Sequence, residues 1–479
     1  MKRLISILSI CLSAAVTYAQ QTVKIELPIT TTEKVAKTNL GKNTNATITS
    51  VTCDMSNPKG YDYILGIRSA EGKEYNVDLK KNPGLAFNAT ISDKDTYWYA
   101  RTIQKTLPNL SKMSNVYALR TQAESSANQY ITTLRNASLL IEDPYLTSYL
   151  NSMLVKINPL QRLDFFKYNF RVYVVKDYTP NAAIFPNGAM VINAGMLARI
   201  HTEDELIAIL CHEANHFMCN HYLDNMAKMQ RRAIAGAIAS GVLGAVAGTL
   251  TRSASVGLST ASMTASTAST INALIKDMGL NFDNTQEIES DQAAVDLLPI
   301  LGYNGNAMAT CIKAIGDYYM EEGNLAAYYK SGDHPKIEDR IAATGTPYER
   351  RDTAFEKKMA PCVSYVGQVM WTKGRYSQAL ELCERNISNE SGRGIDYYIK
   401  GECLLAAFDS DETNTLARES LLKAREVYPD GIPTIKALVI ANIRLGNKEE
   451  AKSLLNECIM LSQDNEEERI WATNMLQNL

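Results

Sequence analysis

Several things are scarce in this chain, and each scarcity excludes something. Histidine occurs only five times in 479 residues. No block of lysine or arginine stands anywhere in the sequence. With Lys2 and Arg3 set aside, 47 basic residues face 52 acidic ones, a mildly acidic balance that excludes a phosphate-binding surface and a nucleic-acid partner. Cysteine is thinly spread. After position 19 the cysteines are 53, 211, 219, 311, 362, 383, 403 and 458, without the dense, even spacing of a disulfide scaffold. They are expected to be small buried hydrophobes, although an oxidising compartment would permit a bridge. Beyond the N-terminus the one membrane candidate is Ala233 to Leu250, an uncharged run of eighteen residues rich in Ala and Gly, followed by a Ser/Thr/Ala tract. Its length just reaches a membrane span, but its Ala/Gly content makes it less apolar than a typical one. The preferred reading is a buried or lid-forming helical hairpin, followed by membrane-surface contact, then a span.

The start of the chain is a targeting signal by pattern. Met1-Lys2-Arg3 is basic, Leu4 to Val16 is apolar, and Thr17-Tyr18-Ala19 offers small residues at a cleavage site before Gln20, so residues 1–19 read as a secretory signal and the mature chain as an exported, periplasmic or cell-envelope protein. Cys11 as a lipoprotein anchor is disfavoured by the bulky Leu8-Ser9-Ile10 before it. A chain of this length exceeds one hydrophobic core, so two to four domains are expected.

Residues 20–100 alternate in short apolar runs broken by turn residues, as in Tyr63 to Arg68 and Tyr75 to Leu79, and predict a small, barrel-like β domain without histidine. From about Asn109 to Ile157 the period becomes helical, with Leu139, Leu140, Tyr145, Leu146, Tyr149, Leu150, Leu154 and Ile157 recurring every three or four residues. Phe170 to Val175, Ile184-Phe185 and Met190 to Ile192 read as strands of one sheet, the last two flanking the turn Pro186-Asn187-Gly188. The strand at Ala189 to Asn193 is expected to be an edge that accepts an extended substrate. Thr202-Glu203-Asp204-Glu205 is a capping box that starts a long helix at Glu203.

Four of the five histidines, 201, 212, 216 and 221, fall within 21 residues. Positions four apart on a helix share a face, so His212 and His216 can present two imidazoles to one ion, with Glu213 beside a bound water. A catalytic zinc needs a third protein ligand. Tyr222 stands where a three-histidine class would need histidine. His221, five steps after His216, is expected to point away from the ligands and to be structural. The better candidate is Glu287, with Asp291 on the same helix face as orienter of a ligand histidine and Glu289 on the opposite side.

These residues, with Asn181 to Gly188, Asn193-Ala194-Gly195-Met196-Leu197, Glu203 to Leu206, Leu301-Gly302-Tyr303 and Asp333 to Arg340, resemble in order the motifs of the M-48 metallopeptidases, the HtpX/BepA/LoiP-like proteases related to CAAX prenyl endopeptidases. The resemblance covers roughly residues 110–345. It implies one zinc ion on His212, His216 and Glu287, Glu213 as general base, and His334 and Arg340 near the site, stabilising the oxyanion or capping the metal at rest. Asn215 departs from the family, which usually has a small residue there, and so raises a question of helix packing or cleft shape.

Gly374 to Ala379 with Leu382 and Cys383 recurs 72 positions later as Gly446 to Ala451 with Leu454 and Leu455, and Ala417 and Leu421 fit a middle unit. Two periods of 36 are a tetratricopeptide-like signature. The fold class expected is α+β and mainly helical: a small β domain (20–100), a zincin-like (gluzincin) catalytic domain with a small sheet (101–355) and a C-terminal α-solenoid of repeats (360–479). The function expected is zinc-dependent endoproteolysis of misfolded or envelope proteins, with polypeptide substrates, an envelope partner held by the repeats and membrane-surface contact through 233–250. The rival is a non-proteolytic, zinc-containing, repeat-based binding or chaperone-like protein, against which an intact Glu213 argues.

Overall fold

The computed structural model describes residues 20–56, 61–83, 85–239, 280, 282–326 and 335–479. The expected signal at 1–19, most of 233–250 and His334 lie outside them. Among the described residues no helix is long and apolar enough to cross a membrane.

Five antiparallel strands open the fold: β1 (Gln20–Thr31), β2 (Asn45–Asp54), β3 (Asp62–Ser69), β4 (Glu74–Asp78) and β5 (Phe87–Ala89), in the order β4-β3-β2-β1-β5. Among the described residues the end strands β4 and β5 do not pair, so the expected barrel is an open sheet. Alternation drives one face inward: Ile25, Leu27 and Ile29 of β1 are buried while their neighbours face out. That face does not close on itself. It shares one core with Leu119, Ala123 and Tyr130 of a long helix, and with Phe185, Val191 and Tyr222 of the next layer.

Helix α1 (Lys94–Arg101), capped by Asp93, runs through a π-helical turn (Thr102–Thr106) into the short α2 (Leu107–Leu110). Helices α3 (Val116–Asn136) and α4 (Pro144–Ile157) follow. The helical period read over Asn109 to Ile157 is carried by α3 and α4, with a break between them: Asp143 caps α4, and Leu140 bridges Val175 instead of lying on a helix. Next come β6 (Arg171–Val175), β7 (Ala182–Ile184) and β8 (Ala189–Asn193), ordered β6-β8-β7, with β6 and β8 parallel and the β7–β8 hairpin closed by Gly188 at φ 86°. Strand β8, expected at an edge, is therefore central. Its five residues are all buried because both faces of the sheet are covered, Met190 and Ile192 on one core, Ala189 and Val191 on the other.

Helix α5 (Ala194–Arg199) leads to α6 (Glu203–Met218), which begins where the cap predicts. Thr202 Oγ1 accepts from the Glu205 N–H at 3.3 Å, and the Glu205 carboxylate accepts from the His201 N–H at 3.0 Å rather than from Thr202's own. Every residue of α6 from Glu205 to Met218 is buried, so it is a core helix rather than an amphipathic one. After it come α7 (His221–Ala239), α8 (Asn284–Ile300), α9 (Ala307–Glu321) and α10 (Ile337–Thr344).

The C-terminal part is helical: α11 (Thr353–Thr372), α12 (Tyr376–Ser388), α13 (Gly394–Ala407), α14 (Asp411–Val427), α15 (Ile432–Arg444), α16 (Lys448–Leu461) and α17 (Glu466–Gln477), each packed on the next. Gly374 and Gly446, the matched glycines of the 72-residue displacement, adopt φ 72° and 75° in the turns after α11 and α15. Only glycine takes that conformation without cost. Phe355, Met359, Val363 and Cys383 join the core of α6 and the three-stranded sheet, whereas the later helices close a core of their own. The eight cysteines from Cys53 to Cys458 are buried and unbridged, as their scattered spacing predicts.

Candidate metal centre

The site is built where α6 crosses α8. His212 and His216, one turn apart on α6, bring their Nε2 atoms to 3.1 Å. From α8, Glu287 Oε1 lies 3.4 Å from His216 Nε2 and Oε2 lies 3.9 Å from His212 Nε2. All three side chains are buried, and one donor atom from each falls within 4.8 Å of the others. Two imidazole nitrogens and a carboxylate oxygen converging in this way form a donor set suited to a divalent cation. Burial drives the His216 pKa down to about 3, which keeps the ring neutral as a metal ligand must be.

The surrounding shell fixes these side chains. Asp291 Oδ1 lies 2.9 Å from His212 Nδ1, and Arg340 holds the same carboxylate through two contacts of 2.7 Å. Burial alone would raise the Asp291 pKa, but Arg340 reverses this and keeps it below the ordinary carboxylate value. Burial likewise pushes His212 down while Asp291 more than compensates, for a net rise. Arg340 Nη2 also lies 3.5 Å from Glu287 Oε2. The arginine expected near the cleft is thus buried behind the ligands, engaged with Asp291 and Glu287.

Glu213 is also buried. Its Oε2 accepts the Ile184 N–H of β7 at 3.1 Å, a bond that ties the carboxylate to the sheet. Burial raises its pKa to about 7, poising it between acid and base at neutral pH.

On the other side of His216 lie residues that spacing could not place. Phe282 stacks on the ring with centroids 3.7 Å apart and planes 17° from parallel. His221 does not point away. Helix α6 ends at Met218, Asn220 turns left-handed at φ 54°, and α7 starts afresh at His221, so its Nδ1 faces His216 Nδ1 at 3.0 Å. Glu289 faces away from the three ligands, as expected, yet its Oε2 lies 3.7 Å from His221 Nε2. Burial lowers the His221 pKa, but Cys219 and Glu289 outweigh it and raise it to about 9. Asn215, wholly buried, accepts from Arg101 Nε and donates to Ser290 Oγ at 2.9 Å.

Residues 142–347 match the profile of Peptidase family M48. The chain carries an M-48 peptidase domain. The β-barrel assembly-enhancing protease of Escherichia coli is 23% identical over 391 residues, covering 75% of this chain and 77% of that protein. The putative enzyme of the same name from Vibrio cholerae is 25% identical over 261 residues, 54% of this chain and 50% of that one. The mitochondrial metalloendopeptidase OMA1 of Schizosaccharomyces pombe is 31% identical over 81 residues, 17% of this chain and 23% of that protein. The M-48 match spans β6 to β8, α6 and α8, and so contains all three candidate ligands. Arg101 lies before it.

Proposed function

We propose that the chain is an exported zinc-dependent endopeptidase that cleaves misfolded or unassembled envelope proteins. One observation carries the reading: a buried carboxylate, Glu213, tied to a strand beside two histidines and a glutamate that converge on one point. When bound by His212, His216 and Glu287, zinc would polarise the scissile carbonyl and acidify a water. Glu213 takes that water's proton and delivers it to the leaving amine, the Ile184 N–H holding the carboxylate in place. Asp291, pinned by Arg340, orients His212. His334 supplies the group that stabilises the oxyanion or caps the metal at rest.

The three-stranded sheet ends at β7 on the α6 side. An extended polypeptide therefore adds along β7, with loose sequence preference because backbone groups make the pairing. Helices α11 to α17 act as tetratricopeptide-like repeats that present clients or an envelope partner, and the 233–250 segment as a gate or membrane-surface contact. The name of the Escherichia coli and Vibrio cholerae relatives supports an envelope substrate.

The test is cleavage of a reduced, unfolded protein by the mature chain. A chelator should abolish cleavage and added zinc restore it, and Glu287→Ala should lose both zinc and activity. Cleavage that survives metal removal would refute the reading.

A further inference from the structure

The donors behind His216 form a chain that the proposed reaction does not use. We infer that His221 is a positioning residue of the metal centre: its Nδ1 accepts the Nδ1–H of His216 and so fixes the tautomer that leaves His216 Nε2 free for a metal ion. The inference rests on the reading of His212, His216 and Glu287 as metal ligands.

Two ring nitrogens facing each other at 3.0 Å need one proton between them. With a metal on His216 Nε2, that ring's single proton sits on Nδ1, and His221 has to be the acceptor. The remaining proton of His221 is then on Nε2, the atom that faces the Glu289 carboxylate at 3.7 Å.

Glu289 is itself anchored. Arg101 Nη2 and Lys105 Nζ each lie 3.2 Å from its Oε1, and Arg101 also donates to the Glu289 carbonyl at 2.9 Å. Both cations belong to the segment where α1 passes into the π-helical turn, a backbone irregularity of the kind found at functional sites. The Arg101 Nε bond to Asn215 ties the same segment to the motif helix, while the stacked Phe282 fixes the plane of the His216 ring. Atoms of Cys219, His221 and Glu289 also lie within 4.8 Å of one another. Arg101 and Lys105 already balance that carboxylate, so these donors serve His221 rather than a second ion.

The experiment is zinc affinity of the full mature chain, measured by competition with a chromophoric chelator, together with the visible absorption of the cobalt-substituted protein. His221→Phe keeps a ring but removes the acceptor, and should weaken zinc binding by about 10- to 100-fold and alter the cobalt spectrum. His221→Asn, whose side-chain carbonyl can accept, should recover most of the affinity. Glu289→Gln should weaken binding in the same direction by less, and decides the matter if His221→Phe does not fold. Parental affinity in both His221→Phe and Glu289→Gln would overturn the inference. So would an equal loss in His221→Phe and His221→Asn, which would mark a merely structural role. A parent chain that binds no zinc, or a His216→Ala variant that binds it as well as the parent, would instead defeat the metal-site reading itself.

Discussion

Asn215 stands directly before the second motif histidine, and its surroundings say why a larger polar residue is accommodated there. Its amide joins three helices, accepting from Arg101 on α1 and donating to Ser290 on α8 while rooted in α6. Asn215→Ala should leave buried Ser290 and half-buried Arg101 each short of one bond, at a cost of about 2 kcal/mol in denaturant unfolding. A change within a few tenths would mean that water replaces the amide. The residues that carry the motif, His212, Glu213 and His216, are legible in the sequence because helical spacing alone places them on one face. Arg101 is not legible, since 114 residues separate it from Asn215 and no local pattern encodes such a pairing. Gly195 belongs to the same scale. A Cβ there would run into the Tyr178 carbonyl oxygen, which is backbone and cannot yield, so Gly195→Ala should fail to yield folded protein, as judged by circular dichroism and solubility.

Elements were legible where local chemistry decides them and not where long-range pairing does. The start of α6 follows from Thr202, and the β7–β8 hairpin from Pro186-Asn187-Gly188. Strand order does not follow from local pattern, which is why β8 reads as an edge and lies in the centre. The orientation of His221 also escaped, because extrapolating one helix past Met218 ignores the left-handed turn at Asn220. Helix α6 is held at its start by Glu203, whose carboxylate meets Tyr149 Oη at 2.6 Å, Lys156 Nζ at 2.8 Å and Tyr303 Oη at 2.7 Å. Burial opposes ionisation, but these three partners bring the Glu203 pKa down from its ordinary 4.5 to about 2. A depressed carboxylate contributes stability that is present above 4.5 and lost as pH falls toward 2. Glu203→Gln should therefore be less stable than the parent by about 1 kcal/mol at neutral pH, and the gap should close between pH 4.5 and 2 in chemical unfolding curves. A gap that stays constant across that window would contradict the assignment.

At the scale of the whole molecule, the candidate metal centre sits between two cores that cross the boundaries suggested by composition. The N-terminal sheet packs with α3 and the back of the three-stranded sheet, and α11 to α13 complete the core around α6. Composition marks where the texture of the sequence changes, whereas a core is defined by which faces meet, and that is invisible until the chain is folded. A chain ending before Thr353 should accordingly lose cooperative unfolding and metal binding. One ending after Ala407, which removes only the helices that close their own core, should keep metal and still cleave a short unfolded peptide. Loss of metal in the second truncation would show that the two cores are coupled. The role of Glu213 as the base of a metal peptidase is tested by measuring zinc content and cleavage of an unfolded protein together in Glu213→Gln. The variant should hold one zinc per chain, as the parent does, with cleavage reduced by about 10²- to 10⁴-fold. Cleavage at the parental rate by the zinc-loaded variant would contradict it.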